Sequence, residues 1–176
     1  MAVLPIVEAP APVLASRARE VTEDEFGAEL AQRVADMAET MYAAPGVGLA
    51  APQVGDGRRM VVIDSGDHDG MRSGLLRMVN PVIVARSEQT LVWPETCLSV
   101  PDLEVRVTRN VRVTVSWREP NGEEKNQEFV EYEAVIIQHE LDHLEGTVLL
   151  DRVSGFRRRR YLKKKKRNRV QPQASL

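Results

Sequence analysis

Cysteine occurs once in this chain, at position 97, so no disulfide can form within it, and any special role of the residue is that of a thiol or a metal ligand. No apolar run approaches the ~18–20 residues that a bilayer-spanning helix needs. The opening segment MAVLPIVEAPAPVLASRARE has no basic residue before its apolar part, and prolines interrupt it, which excludes a secretory signal of the usual kind. Internal repeats are lacking, and RRRRYLKKKKRNR is the single low-complexity stretch. These absences leave a soluble protein of the cytosol as the expectation, with no role at a membrane.

What is present fits that expectation. Apolar residues are 43% and charged ones 28%, and 176 residues make one domain with room for an appendage. The formal charge of −2 hides a division: ten of the 24 basic residues fall between Arg157 and Arg169, and all 26 acidic residues precede them. The body carries 14 cations against 26 anions, a formal −12, and the tail +10.

Local patterns give the element order. Residues 1–21, rich in Pro, Ala and Val, read as an extended arm. Thr22 and Glu25 have capping-box spacing, and Phe26, Leu30, Val34, Met37 and Met41 follow at helical intervals, predicting a helix of roughly 20 residues ended by Pro45-Gly46. MVVID (60–64) reads as a strand, 65–74 as a polar loop, and 75–81 and 82–85 as strand pieces broken at Asn80-Pro81. Val111, Val113, Val115 and Trp117 alternate with polar residues, and a turn at Pro120-Asn121-Gly122 predicts a hairpin returning through Phe129. Helical spacing resumes at Tyr132 and stops at Gly146. The order predicts an α+β fold: mainly antiparallel β-sheets around a central helix, with an N-terminal helix and a C-terminal helical basic tail. The domain expectation is a catalytic unit at 1–153 and an appended helix and tail at 154–176.

The central helix carries QHELDHLEG (138–146). His139 and His143, four apart, share a helix face and can present two imidazoles to one point, while Glu140 is turned by about 100° and can reach a water held there. A divalent metal lowers the pKa of such a water from about 15.7 to about 7, which suits Glu140 as a general base. Two imidazoles on the core-facing stripe of Tyr132, Val135 and Ile136 need hydrogen bonds or a metal. A catalytic centre of this kind takes three protein ligands. The pattern HExxHxxGxxH fails at its last position, which is Leu149. His68 lies in a Gly/Asp/Ser-rich loop and reads as solvated. Cys97, held between two prolines in VWPETCLSVP, completes a Cys/His/His set suited to Fe2+, Zn2+ or Co2+.

Three segments, GVGLAAPQ (46–53), ETCLS (95–99) and QHELDHLEG, together resemble the three signature motifs of peptide deformylases in order and spacing. The first and third agree fully, and the second has Thr96 where that family usually has glycine. AVLPIVEAPAPVL, METMYAAPG, RMVVID and LLDRVS extend the likeness over most of the chain. The resemblance implies removal of the formyl group from formyl-methionyl nascent peptides, with one divalent ion, Fe2+ in the cell and Zn2+, Ni2+ or Co2+ as substitutes. It implies Cys97, His139 and His143 as ligands, Glu140 as general acid/base, and Gln53 with the Leu98 N–H as oxyanion donors. It further implies Gly46, Val47, Gly48, Glu95, Thr96 and Ile136 as substrate-facing.

Bare backbone at Gly46 and Gly48 would let a peptide pair as an added strand. Thr96 is expected to restrict the backbone beside Cys97 and to alter the pocket mouth. The acidic EYE (131–133) departs from the family pattern at a helix start, where negative charge is favourable. The tail 157–169 reads either as a solvated helix or, by the resemblance, as a ribosomal RNA contact, and DNA is not expected as a partner. Two alternatives stay open: another HExxH hydrolase such as a peptidase, and a catalytically silent RNA-binding homologue with a structural metal.

Overall fold

A computed structural model describes residues 2–66 and 74–170. Its framework is a five-stranded antiparallel sheet in the order β1-β2-β3-β6-β7, formed by Gly48–Ala50, Met60–Ile63, Leu76–Arg86, Arg112–Arg118 and Glu124–Val130. A separate two-stranded sheet joins β4 (Thr90–Cys97) to β5 (Val100–Asn110). Three helices complete the fold: α1 (Ala28–Ala43), α2 (Glu131–Leu144) and α3 (Gly155–Val170).

Alternation explains β6: Val113, Val115 and Trp117 are buried, and Trp117 meets Phe129 of β7 with ring centroids 6.0 Å apart. Their apolar face packs on Ala134, Ile137, Leu141 and Leu144 of α2, so the helix lies in the core. Leu30, Val34, Met37 and Met41 of α1 cover β1 and β2 in a second cluster. A third cluster joins β5 to the N-terminal arm, to a short turn at Leu149–Arg152 and to Tyr161 and Leu162 of α3.

Two expectations change, and two features were not foreseen. The helix anticipated from Thr22 is two elements: the Thr22–Glu25 capping box closes one tight turn at Glu23–Glu25, and the chain redirects at Gly27 before α1. The arm is strapped down, with Ala9, Leu14, Ala18 and Val21 buried and amides of Val7, Ala9 and Ala18 bonded to carbonyls of Gln53, Ser99 and Leu144. Asn80-Pro81 does not split the strand. It forms a bulge within β3, with Asn80 at φ 52°, and its amide side chain pairs with the Val21 backbone. The β4–β5 hairpin was not foreseen as a pair of strands.

Gly146 ends α2 at φ +74°, and a Cβ there would stand 2.9 Å from the Ala15 carbonyl oxygen. It therefore both caps the helix and admits the crossing arm. The acidic first turn of α2 is present, and the Ser65 hydroxyl donates to Glu133 at 3.1 Å. No helix among the described residues is long and apolar enough to cross a membrane.

Candidate metal centre

The helical spacing of α2 turns His139 and His143 toward one point, with ring centroids 5.1 Å apart. The end of β4 brings Cys97 to the same point, with Sγ 3.2 Å from His143 Nε2. One ligand atom from each of the three lies within 4.8 Å of the others, in a largely buried setting. His68, the remaining histidine, lies outside the described residues.

Each imidazole is held differently. Glu95 Oε2 sits 2.8 Å from His139 Nδ1, which leaves Nε2 as the inward-facing nitrogen. Burial opposes a charge on His139, but bonding to Cys97 and Glu95, together with the Glu140 charge, outweighs it and pushes the pKa up to about 10. Burial and the neighbouring His139 and Arg109 charges hold His143 well below the ordinary range, so it offers a neutral lone pair. Burial raises Glu140 to about 7. Its Oε2 and His143 Nδ1 are buried side-chain atoms with no hydrogen-bond partner among the described residues. A thiol and two imidazoles converging on one point form a donor set that a divalent cation fits.

Arg109 fastens this cluster. Its guanidinium donates to both Glu95 oxygens at 2.7 and 2.9 Å and to Asp142 at 2.7 Å, with 4% of the side chain exposed. Burial alone would raise the Glu95 pKa, but the Arg109 and His139 bonds bring it down to about 2. Glu95, expected among the substrate-facing residues, borders the cavity with both oxygens already engaged. Sequence reasoning missed Arg109, although a signal existed: it continues the inward register of Leu103, Val105 and Val107 on β5, and a buried charge requires a partner.

The triad opens onto a cavity of about 640 Å³. Gly46, Val47, Gly48, Gln53, Thr96, Leu98, Ile136 and Glu140 line it, and Trp93 and Tyr132 meet at its mouth with centroids 5.6 Å apart. Gln53 accepts from the Ala50 N–H at 2.9 Å, and this directs its NH2 group toward Cys97 Sγ, 3.7 Å away, and Ser99 Oγ, 3.2 Å away. A Cβ on Gly48 would lie 2.4 Å from Glu140 Oε1, so the bare backbone there makes room for that carboxylate. Thr96 occupies an irregular step of β4, exposed on the rim, without the positive φ that would strain a β-branched residue.

An HExxH helix joined by a cysteine, with a buried glutamate and an amide donor over one cavity, defines a hydrolase centre built for a divalent metal. The polypeptide deformylase sequence profile matches residues 3–159, and the chain belongs to that family. Peptide deformylase from Desulfotalea psychrophila is 40% identical over 167 residues, which is 95% of this chain and 97% of that protein. The solved peptide deformylase from Ehrlichia chaffeensis in complex with actinonin superposes with a TM-score of 0.88 at 35% identity, over 96% of this chain and 98% of its own. The Met-Ala-Ser-bound enzyme from Acinetobacter baumannii gives 0.79 at 33%, over 86% and 98%. The mixed α/β fold with antiparallel sheets and three helices is shared with these structures.

Proposed function

We propose that this chain removes the formyl group from the N-terminal formyl-methionine of new polypeptides, releasing formate, in the cytosol. The observation that carries the reading is the convergence of Cys97, His139 and His143 within 4.8 Å beside Glu140, whose buried Oε2 has no partner among the described residues. A divalent cation held by these three side chains would acidify water and polarise the formamide carbonyl. The thiolate and two imidazoles suit Fe2+ as the cellular ion, with Zn2+, Ni2+ or Co2+ as replacements in purified protein.

The residues have separable tasks. Glu140 takes a proton from the attacking water and delivers it to the departing amine nitrogen as the C–N bond breaks, and formate keeps the water's oxygen. The Gln53 NH2 group and the Leu98 N–H stabilise the oxyanion without adding charge. Glu95 orients His139, and Arg109 orients Glu95. Gly46, Val47 and Gly48 accept the substrate backbone as an added strand, and Ile136 contributes apolar wall for the methionine side chain. Residues 1–153 form the catalytic unit.

The helix from 154 onward is an anchoring element with two faces. Arg157, Tyr161 and Lys165, spaced four apart, reach the backbone carbonyls of Glu104, Pro101 and Ala9. Arg159, Arg160, Lys163, Lys164, Lys166 and Arg167 make no ion pair among the described residues, and this cationic face suits ribosomal RNA phosphates.

Anaerobically purified protein, assayed for metal and for formate release from formyl-Met-Ala-Ser, tests the central reading. Turnover with about one ion per chain is expected. Metal-loaded protein that releases no formate, or that cleaves the peptide bond instead, refutes it.

A further inference from the structure

Gln53 and Leu98, the proposed oxyanion donors, come from separate pieces of the chain. Gln53 belongs to the short turn Ala51–Val54 that follows β1, and Ala51 and Val54 of this turn pack in the cluster under α1. Leu98 and Ser99 form the two-residue turn of the other sheet, between Cys97 and Val100, which pair across it. Among the described residues no strand pairing joins the two sheets, so the relative position of the donors depends on other bonds.

Ser99 supplies two of them. Its hydroxyl accepts from Gln53 Nε2 at 3.2 Å, and its carbonyl accepts from the Ala9 N–H at 2.8 Å. The Val7 N–H donates to the Gln53 carbonyl, also at 2.8 Å. Val7 and Ala9, two apart on the extended arm, face the same side, so the arm ties the two turns together through main chain. The Ser99 hydroxyl ties them through side chains. With 0% of its surface exposed, Ser99 stands behind the cavity wall that Gln53 and Leu98 line, out of reach of a substrate.

The NH2 group of Gln53 has two hydrogens to place. The Ala50 N–H occupies Oε1, one NH2 hydrogen goes to Ser99, and the other is directed at Cys97 Sγ, a long contact on the side of the candidate centre. The last torsion of a glutamine side chain is broad and is not fixed by its own rotamer preference. Neighbours must fix it, and the Ser99 oxygen is the one that holds the donor end.

We propose that Ser99 is a positioning residue: its hydroxyl aims the Gln53 amide so that one hydrogen is free for the oxyanion formed during attack on the formyl carbon. The inference rests on the deformylase reading above. Deleting an oxyanion donor costs about 100- to 1000-fold in kcat. Because Ala50 keeps its hold on Oε1, loss of the hydroxyl leaves the donor present but poorly aimed, and a loss on the order of ten-fold is expected.

The test is a cycle of Ser99→Ala, Gln53→Ala and the double variant, with metal content and formate release from formyl-Met-Ala-Ser measured on each. The arm's main-chain bonds survive in all three, so folded protein is expected. Ser99→Ala should lower kcat and kcat/KM equally, about ten-fold, with KM and metal content as in wild type, and should add less than two-fold to the loss in Gln53→Ala. A Ser99→Ala kcat within two-fold of wild type, a loss carried by KM or by metal content, or losses that multiply in the double variant overturn the proposal. An independent readout is the nuclear magnetic resonance signal of the Gln53 NH2 group, assigned by its disappearance in Gln53→Ala. The two hydrogens should lie apart from free-glutamine positions in wild type and move toward them in Ser99→Ala. A wild-type pair at free-glutamine positions overturns the proposal whether or not Ser99→Ala folds. Failure of the deformylase reading shows separately, as absence of formate from metal-loaded wild type.

Discussion

Replacing Gly48 by alanine perturbs Glu140 without touching it in sequence. The new Cβ would stand 2.4 Å from Oε1 and 2.9 Å from both Cγ and Cδ, so the carboxylate must retreat by about 1 Å to restore an ordinary 3.4 Å contact. The obstacle is a side chain rather than backbone, so the chain can yield by an off-rotamer adjustment costing about 0.5–1.5 kcal/mol. For a domain of this size that corresponds to a Tm loss of roughly 1–6 °C. A catalytic group misplaced by 1 Å costs on the order of 100-fold in rate. The expected outcome is a nearly intact fold, unchanged metal content and a kcat/KM for formyl-Met-Ala-Ser lowered about 100-fold. If the loss runs through Glu140, adding Gly48→Ala to Glu140→Ala should cost little more, because residues acting as a unit are not additive. A Gly48→Ala enzyme within three-fold of wild type, or a double variant showing the full product of both losses, refutes the reasoning.

Other perturbations have defined outcomes. Arg109→Leu leaves the Glu95 carboxylate buried without its cation and should destabilise the fold by about 3–5 kcal/mol, read as a lower urea midpoint. Cys97→Ser should lower the metal content of the purified protein well below one ion per chain, and a value equal to wild type would support a different third ligand. Asp56 is pushed toward higher pKa by burial, but the Arg58 and Arg33 contacts outweigh this and hold it below its ordinary 3.8. Its stabilising contribution is therefore present above about pH 3.8 and is lost as pH falls further, and a urea-midpoint series should be flatter in that range for Asp56→Asn. Ribosome co-sedimentation should weaken steeply between low and moderate salt and on deletion of residues 157–176, and indifference to both counts against the RNA contact.

Periodicity made β6 legible, because Val113, Val115 and Trp117 bury one face; its partner β7 followed from the turn at 120–122, and α2 from its apolar spacing up to Gly146, although that helix is buried on nearly every side. It did not reveal β4–β5, whose inward Val105 and Val107 alternate with charged residues and whose strands hold Pro94 and Pro101. Pro94 is tolerated because β4 pairs on one edge alone. The burial of the extended arm was not legible, because it comes from distant partners rather than from the arm's own pattern. At the centre, residue chemistry singled out Cys97, His139 and His143 before any geometry was known, whereas Arg109 was hidden in strand register.

The three sulfur and nitrogen donors come from two pieces of structure that share no strand pairing: β4 of the two-stranded sheet and helix α2. Side-chain links such as Arg109–Asp142, Gln138–Asn110 and Glu95–His139 join the pieces, and a bound cation would add a further fastening across the same seam. Amide hydrogen exchange along Thr90–Asn110 should therefore act as a gauge of occupancy, slowing as ion is titrated in, while exchange in β6–β7 stays level.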